Sequence, residues 1–352
     1  MQQKQRDLSL DIFRGLGIFF VILGHIHQTP LLIRLWICTF HMPLFFICSG
    51  MLYSIEKYNG FLPFLKKKIQ TLVIPYFCLI TCLWILVNLR SFILNHIGMS
   101  GKYLFDFRHV LLSILLSNRL HTYYFSLWFV CALFLSELVF YPIVRFCGNK
   151  KHFMIIIAIG ANFLQFLLSH YVKGGVWSFD LIPTCISFMS IGYLAKSKKI
   201  TDELTKPYFF PICLSINIIF AILNTKALNG GYTALFYGTL GNPFYYFFAA
   251  LTGSWAIFVV SKNIERLIVA EFLGKNSLII YAFQNSFAIP VANDIFCFFK
   301  SKYDIFNDKV LEWIFIVIIT LFISSLLAYL ITRFTPWMTG HPRKKHKNDS
   351  ST

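Results

Sequence analysis

Apolar runs long enough to cross a bilayer as a helix, about twenty residues each, recur along this chain and limit its fold more than any other feature. Strands of a membrane barrel would instead alternate apolar and polar residues, and these runs do not. The sequence therefore predicts an all-α, polytopic membrane helix bundle of about ten transmembrane helices, with approximate limits at 11–29, 36–54, 70–89, 123–146, 153–171, 177–195, 208–226, 243–261, 274–296 and 311–333.

The composition excludes a soluble domain. Hydrophobic residues make up 57% of the chain and charged residues only 13%, whereas soluble proteins average about a quarter charged residues. The net charge of +17 does not indicate a nucleic-acid partner, because most lysines and arginines lie in short loops between the apolar runs. Residues 1–335 are expected to form a single transmembrane domain.

The distribution of lysine and arginine predicts the orientation. When the loops are assigned alternately to the two sides, roughly twice as many of these residues fall on the side that carries both termini. The lysine- and arginine-rich side of a membrane protein faces the cytoplasm. Both termini are therefore expected to be cytoplasmic, and the basic segment 336–352 is expected to be a disordered tail.

Ionisable residues occur inside the first predicted span. They are costly in a bilayer, and their default interpretation is a functional site. Arg14 and His25 are eleven positions apart, which on an ideal helix places them within roughly 20° of one another and about 16 Å apart along the axis. Asp11 is close enough along the helix to pair with Arg14. The alternative for Arg14 is that it snorkels to the headgroups at the inner surface.

Two histidines are predicted to lie at a similar depth. His25 is near the outer end of the first span, and His41 is near the outer start of the second, which runs back in the opposite direction. Their side chains can therefore share a pocket, and imidazole is the group that exchanges protons near neutral pH. The alternative for either histidine is a hydrogen-bonded packing role in the bundle.

These residues also carry a resemblance to a known family. The segment 10–15, Leu-Asp-Ile-Phe-Arg-Gly, with ten residues between Arg14 and His25, resembles the R-x10-H motif of the membrane-bound acyltransferase-3 family. The segment 40–50, from Phe40-His41 to Ser49-Gly50, resembles the second signature of that family. Its sequence is most similar to the fucose 4-O-acetylase-like branch. Weaker matches follow in order at 74–76, 127–129, 191–194 and 273–281.

The resemblance implies transfer of an acyl group, usually acetyl from acetyl-CoA, to a hydroxyl of a cell-surface carbohydrate or its lipid-linked precursor. His25, His41 and Arg14 are the implied catalytic residues, with His25 as a general base or with an acetyl-imidazole on His25 or His41. Cytoplasmic acetyl-CoA is polyanionic, and Arg14 with Lys66, Lys67 and Lys68 would supply cations for it. The lysine run also fits an ordinary positive-inside anchor.

One position departs from the family pattern. The family often has a histidine a few residues after the tyrosine that corresponds to Tyr281, whereas this chain has Gln284. Glutamine forms hydrogen bonds and does not titrate, so either that histidine is dispensable in this branch or the acceptor differs. Asn276 and Ser277 would add polar contacts at the start of the ninth predicted span, or would cap a helix.

A carrier or flippase for a lipid-linked glycan is the alternative function, with the intramembrane arginine and histidines binding a phosphate. For the acyltransferase, the expected partners are membrane lipid, a carbohydrate acceptor and acetyl-CoA, with no metal and no nucleic acid. The expected location is a bacterial inner membrane.

Overall fold

A computed structural model describes residues 7–98, 101, 107–117, 127–148, 150–169, 171–172, 174–301 and 308–340. Within these residues the secondary structure is helical, with no strand beyond an isolated bridge between Ala234 and Thr239. The α-helices, in chain order, are α1 (Leu8–His25), α2 (Leu31–Cys38), α3 (His41–Leu52), α4 (Phe61–Lys68), α5 (Ile74–His96), α6 (Phe107–Leu116), α7 (Trp128–Cys147), α8 (Lys151–Leu168), α9 (Ile182–Leu194), α10 (Lys198–Leu204), α11 (Phe209–Ala227), α12 (Pro243–Asn263), α13 (Ile268–Lys275), α14 (Ser277–Phe283), α15 (Ile289–Lys300) and α16 (Lys309–Phe334).

The chain is a multi-pass helical membrane protein. In its described part, eight helical segments are long and apolar enough to cross a bilayer, namely Leu8–His25, Leu31–Leu52, Phe61–His96, Trp128–Cys147, Lys151–Leu168, Phe209–Ala227, Pro243–Asn263 and Lys309–Phe334. The predicted spans at 177–195 and 274–296 correspond to shorter helices. The count of ten and the cytoplasmic termini stay predictions. The predicted tail starts with a 3₁₀ turn, Pro336–Thr339, and its residues 341–352 lie outside the described residues.

Two helical segments change their hydrogen-bonding pattern just before a proline. A π-helical turn, Ile69–Val73, precedes Pro75 in α5, and a second, Gln284–Ala288, precedes Pro290 in α15. Proline has no N–H, and its ring crowds the carbonyl four residues earlier, so a regular α-helix is disfavoured there. A π turn accommodates the irregularity, and such turns are frequent at functional sites.

Each of the two helices that carry the histidines packs backbone to backbone against a partner helix at a pair of glycines. A Cβ at Gly15 of α1 would collide with the carbonyl oxygen of Ala270 in α13, and one at Gly274 of α13 would collide with that of Asp11. The same reciprocal contact joins α3 to α9 through Gly50 and Gly192, which face the backbone of Met189 and Ile47, respectively. Glycine is required where two helix backbones approach this closely.

An ion pair joins α4 to a buried side chain of α7. The Nζ atom of Lys68 lies 2.7 Å from a carboxylate oxygen of Glu137 on α7, and the Glu137 side chain is only 8% exposed. Tyr53 donates a hydrogen bond from its hydroxyl to the Glu137 carbonyl, at 2.7 Å. Glu137 is not among the residues predicted from the sequence, because its partner Lys68 is distant in sequence.

We expect Lys68→Met to lower the stability of the purified protein by up to about 3 kcal/mol, because it leaves the Glu137 carboxylate buried without its cation. The melting temperature in detergent measures this change. Lys66→Met removes an exposed lysine from the same helix and serves as the matched control. The double variant Lys68→Met/Glu137→Gln should regain part of the loss. Equal melting temperatures for the two single variants would show that the pair contributes nothing.

Candidate active site

A cavity of about 420 Å³ lies at the C-terminal end of α1. Its wall combines the end of α1, one face of α2, the starts of α3 and α7, part of α14, and the loop that follows α11. The residues that contribute polar or ionisable side chains to it are His25, His27, Arg34, Cys38, His41, Trp128, Tyr232, Thr233, Tyr237, Tyr281 and Asn285. Segments far apart in sequence therefore meet around one space.

His25 is the last residue of α1, and its side chain is exposed at the cavity wall. The helix ends here because Ile26 adopts an extended conformation, with φ −75° and ψ 121°. Thr29 fixes the turn that follows: its hydroxyl donates to the Leu23 carbonyl at 2.7 Å and accepts from the indole N–H of Trp313 at 3.0 Å. His25 is thus an accessible side chain on a rigid support.

His41 is the first residue of α3 and is half-buried on the same wall. Its Nδ1 lies 2.9 Å from the carbonyl oxygen of Ile37. A carbonyl only accepts hydrogen bonds, so Nδ1 carries the hydrogen in this contact. The neutral ring then has an unprotonated Nε2, which is the only ring nitrogen left for a ligand. This contact orients the imidazole and selects its tautomer, as expected for a proton-transfer group.

The loop that closes one side of the cavity is held by a buried asparagine. The Asn224 amide nitrogen, on α11, donates to the Thr233 hydroxyl and to the Leu240 carbonyl, each at 2.9 Å, and its oxygen accepts from the backbone N–H of Asn242 at 3.0 Å. Asn224 is fully buried. A buried amide with all these partners fixes the backbone around it, so the loop 232–237 is a preformed wall.

Tyr281 and Asn285 also line the cavity. Tyr281 is buried, and its ring packs edge-on against Phe129 with centroids 5.5 Å apart. Asn285 belongs to the π turn Gln284–Ala288. Gln284, its neighbour, does not line the cavity; it is fully buried, and neither its amide nitrogen nor its oxygen has a hydrogen-bond partner among the described residues.

The remaining predicted site residues lie away from the cavity. Arg14 is two-thirds of the way back along α1, where it pairs with the buried Asp11 at 2.5 Å. Lys66 and Lys67 are exposed on α4, and Lys68 pairs with Glu137. Asn276 donates from its side chain to the Phe272 carbonyl at 2.9 Å, and Ser277 is the first residue of α14. Of the predicted set, His25, His41 and Tyr281 meet at one cavity.

Arg34 and Asn285 line the cavity but are not among the site residues predicted from the sequence. Arg34 sits in an apolar stretch four residues before Cys38, a spacing that puts both on one helix face. That spacing was the available signal. No sequence signal identified the wall 232–237, because its position depends on Asn224 and on contacts distant in sequence.

A protein-family model described as an acyltransferase domain matches residues 7–329 of this chain. A search of curated proteins and a search of solved structures each found no match.

Proposed function

This chain belongs to the acyltransferase-3 family, and from that premise we propose that the cavity is the active site of an integral membrane O-acyltransferase. We propose that it moves an acetyl group from cytoplasmic acetyl-CoA to a hydroxyl of a cell-surface or lipid-linked carbohydrate, in a bacterial inner membrane. The observation that carries the proposal is the presence of His25 and His41 on one cavity wall, with the His41 tautomer set by Ile37.

The chemistry needs a base at the acceptor hydroxyl. His25 takes the hydroxyl proton while the oxygen attacks the thioester carbonyl carbon; the new C–O bond forms, the C–S bond breaks, and the CoA sulfur takes a proton as it leaves. The alternative is an acetyl-imidazole on His25 or His41 that the hydroxyl then attacks. In either route the negative oxygen of the intermediate needs donors, and the Asn285 amide N–H groups on the same wall suit that role.

Donor binding is assigned to the other end of α1. The phosphates of acetyl-CoA need cations, and Arg14, Lys66 and Lys67 are the proposed contacts. The Lys68–Glu137 ion pair argues for a structural role of Lys68. Arg14 is about 16 Å from His25 along the helix axis, so the phosphate end and the thioester end of the donor would lie about that far apart along one helix.

The test is transfer by the purified protein. Full-length protein in nanodiscs is given acetyl-CoA labelled in the acetyl group and glycan from a strain that lacks the gene. Labelled glycan, together with an O-acetyl signal in the proton NMR spectrum of the complemented strain, supports the proposal. A deletion that leaves acetylation intact while glycan fails to reach the surface would instead support the carrier.

Two substitutions of His41 separate a proton-transfer role from a packing role. Asparagine can keep a hydrogen bond to the Ile37 carbonyl, and glutamine can place an amide near the position of Nε2, but neither titrates. If His41 exchanges protons, both His41→Asn and His41→Gln should reduce the transfer rate by about 100-fold or more. Transfer by His41→Asn at the wild-type rate would show that His41 serves only to pack against α2.

A further inference from the structure

The cavity contains a cation that no residue in the described part of the chain neutralises. Three arginines in the described part of the chain are half-buried, namely Arg14, Arg34 and Arg90. Arg14 ion-pairs with Asp11 at 2.5 Å, and Arg90 forms a two-pronged pair with Asp294 at 2.6 and 2.8 Å. No ion pair joins Arg34 to any described carboxylate. A guanidinium withdrawn from water without a counter-ion is unfavourable, so a ligand anion fits this position.

Arg34 lies on the cavity face of α2. It is four residues before Cys38, and both line the cavity. The opposite face of α2 carries Leu32 and Trp36, which line a separate apolar groove. The Arg34 side chain is therefore on the side where a substrate would bind, and the groove face has no such charge from α2.

The other groups around the cavity add no negative charge. No aspartate or glutamate is among its described lining residues. Arg34 is therefore the charged side chain among the described lining residues, and it gives the cavity a positive electrostatic potential. Such a site favours anionic ligands and raises their rate of association.

We propose that Arg34 binds an oxyanion of the acceptor, a carboxylate or a phosphate, next to the hydroxyl that receives the acyl group. Arginine offers a planar fork of donors that matches both groups in a bidentate contact. This inference rests on the proposed function, because that function assigns the donor phosphates to Arg14 at the other end of α1. Arg34 is thus a specificity-determining residue that selects acidic or phosphate-bearing acceptors over neutral ones.

The test is direct binding to full-length protein in uncharged nanodiscs, measured by equilibrium dialysis of labelled probes. Methyl β-D-glucuronide and methyl β-D-glucoside differ only in a carboxylate at C6, and glucose 1-phosphate supplies a phosphate. The variants are Arg34→Gln, which removes the charge, and Arg34→Lys, which keeps it. Lys226→Gln is the matched control, since Lys226 is exposed and lines the groove on the other side of α2.

The wild type should bind at least one anionic probe more tightly than the glucoside, and Arg34→Gln should weaken that binding by about tenfold or more. Arg34→Lys should weaken the binding of the anionic probe less than Arg34→Gln does, and Lys226→Gln should leave it unchanged. A preference for the glucuronide identifies a carboxylate as the anion, and a preference for glucose 1-phosphate identifies a phosphate. Equal binding of neutral and anionic probes by the wild type, or unchanged binding by Arg34→Gln, overturns the inference.

A parallel measurement of acetyl-CoA binding separates this inference from the proposed function. If Arg34→Gln weakens acetyl-CoA binding and spares the sugar anions, Arg34 serves the donor and the inference fails while acyl transfer stands. If the wild type transfers no acetyl group under any condition yet shows the Arg34-dependent anion binding, the proposed function fails and the anion site remains.

Discussion

Replacing His25 with alanine is expected to abolish acyl transfer and to leave the folded protein in the membrane. The residue ends α1 and is exposed at the cavity wall, so its removal leaves no packing defect. Loss of a general base typically reduces a rate by about 100- to 10,000-fold, and loss of an acyl-imidazole nucleophile would remove the reaction path. Transfer from labelled acetyl-CoA, normalised to folded protein, measures the effect.

The matched control is His152→Ala, which removes an exposed histidine of α8 that lies outside the cavity. It should keep the wild-type rate. The His25→Ala protein should also elute as the wild type does on size-exclusion chromatography, which excludes misfolding as the cause. A His25→Ala protein that transfers acetyl at the wild-type rate would remove His25 from the mechanism and with it the central claim for the cavity.

Replacing Gly192 with valine is expected to prevent folding. A Cβ at this position would overlap the backbone carbonyl of Ile47 in α3. A flexible side chain can move aside, but a helix backbone cannot do so without separating α3 from α9. The cost should exceed the roughly 1–3 kcal/mol of an ordinary overpacked side chain. Fluorescence-detected size-exclusion chromatography of a tagged protein should show aggregate in place of the wild-type peak.

The chain offers a control of the same chemical size. Gly160 lies in α8, and a Cβ there would have no atom within 4 Å apart from its chain neighbours and the nearby backbone of its own helix. Gly160→Val should therefore fold normally, because it adds the same side chain where space is open. A monodisperse Gly192→Val protein would mean that α3 and α9 are not held as closely as the structure shows.

Hydropathy predicts the long helices well because it measures the continuous apolar length that a helix needs to cross a bilayer. The predicted span 11–29 overlaps α1, whose start at Leu8 is set by an Asp7 cap that hydropathy does not detect. The predicted span 274–296 is interrupted at Asn276 and again at the π turn before Pro290. Both interruptions depend on backbone hydrogen bonds, and an average over apolar composition contains no information about them.

The candidate site was partly predictable for a geometric reason. The first predicted span ends near His25, and the second, which runs back across the membrane, begins near His41. Counting residues along each helix therefore predicts that the two histidines lie at a similar depth. Arg34 and Asn285 required the three-dimensional arrangement, since each reaches the cavity from an element whose orientation the sequence does not give. The partner of Lys68 is likewise set by the packing of α4 on α7.

The reciprocal glycines of α1–α13 and α3–α9 have a mechanical consequence. Two helices that touch backbone to backbone resist sliding or tilting separately, so we expect the two helices of each pair to move together. Where α1 meets α3, by contrast, Gly17 faces the side chains of Leu44 and Phe45, and side chains can change rotamer. A bulky substrate that enters between His25 and His41 would therefore separate α1 from α3. His25 would then move with α1 and α13, and His41 with α3 and α9.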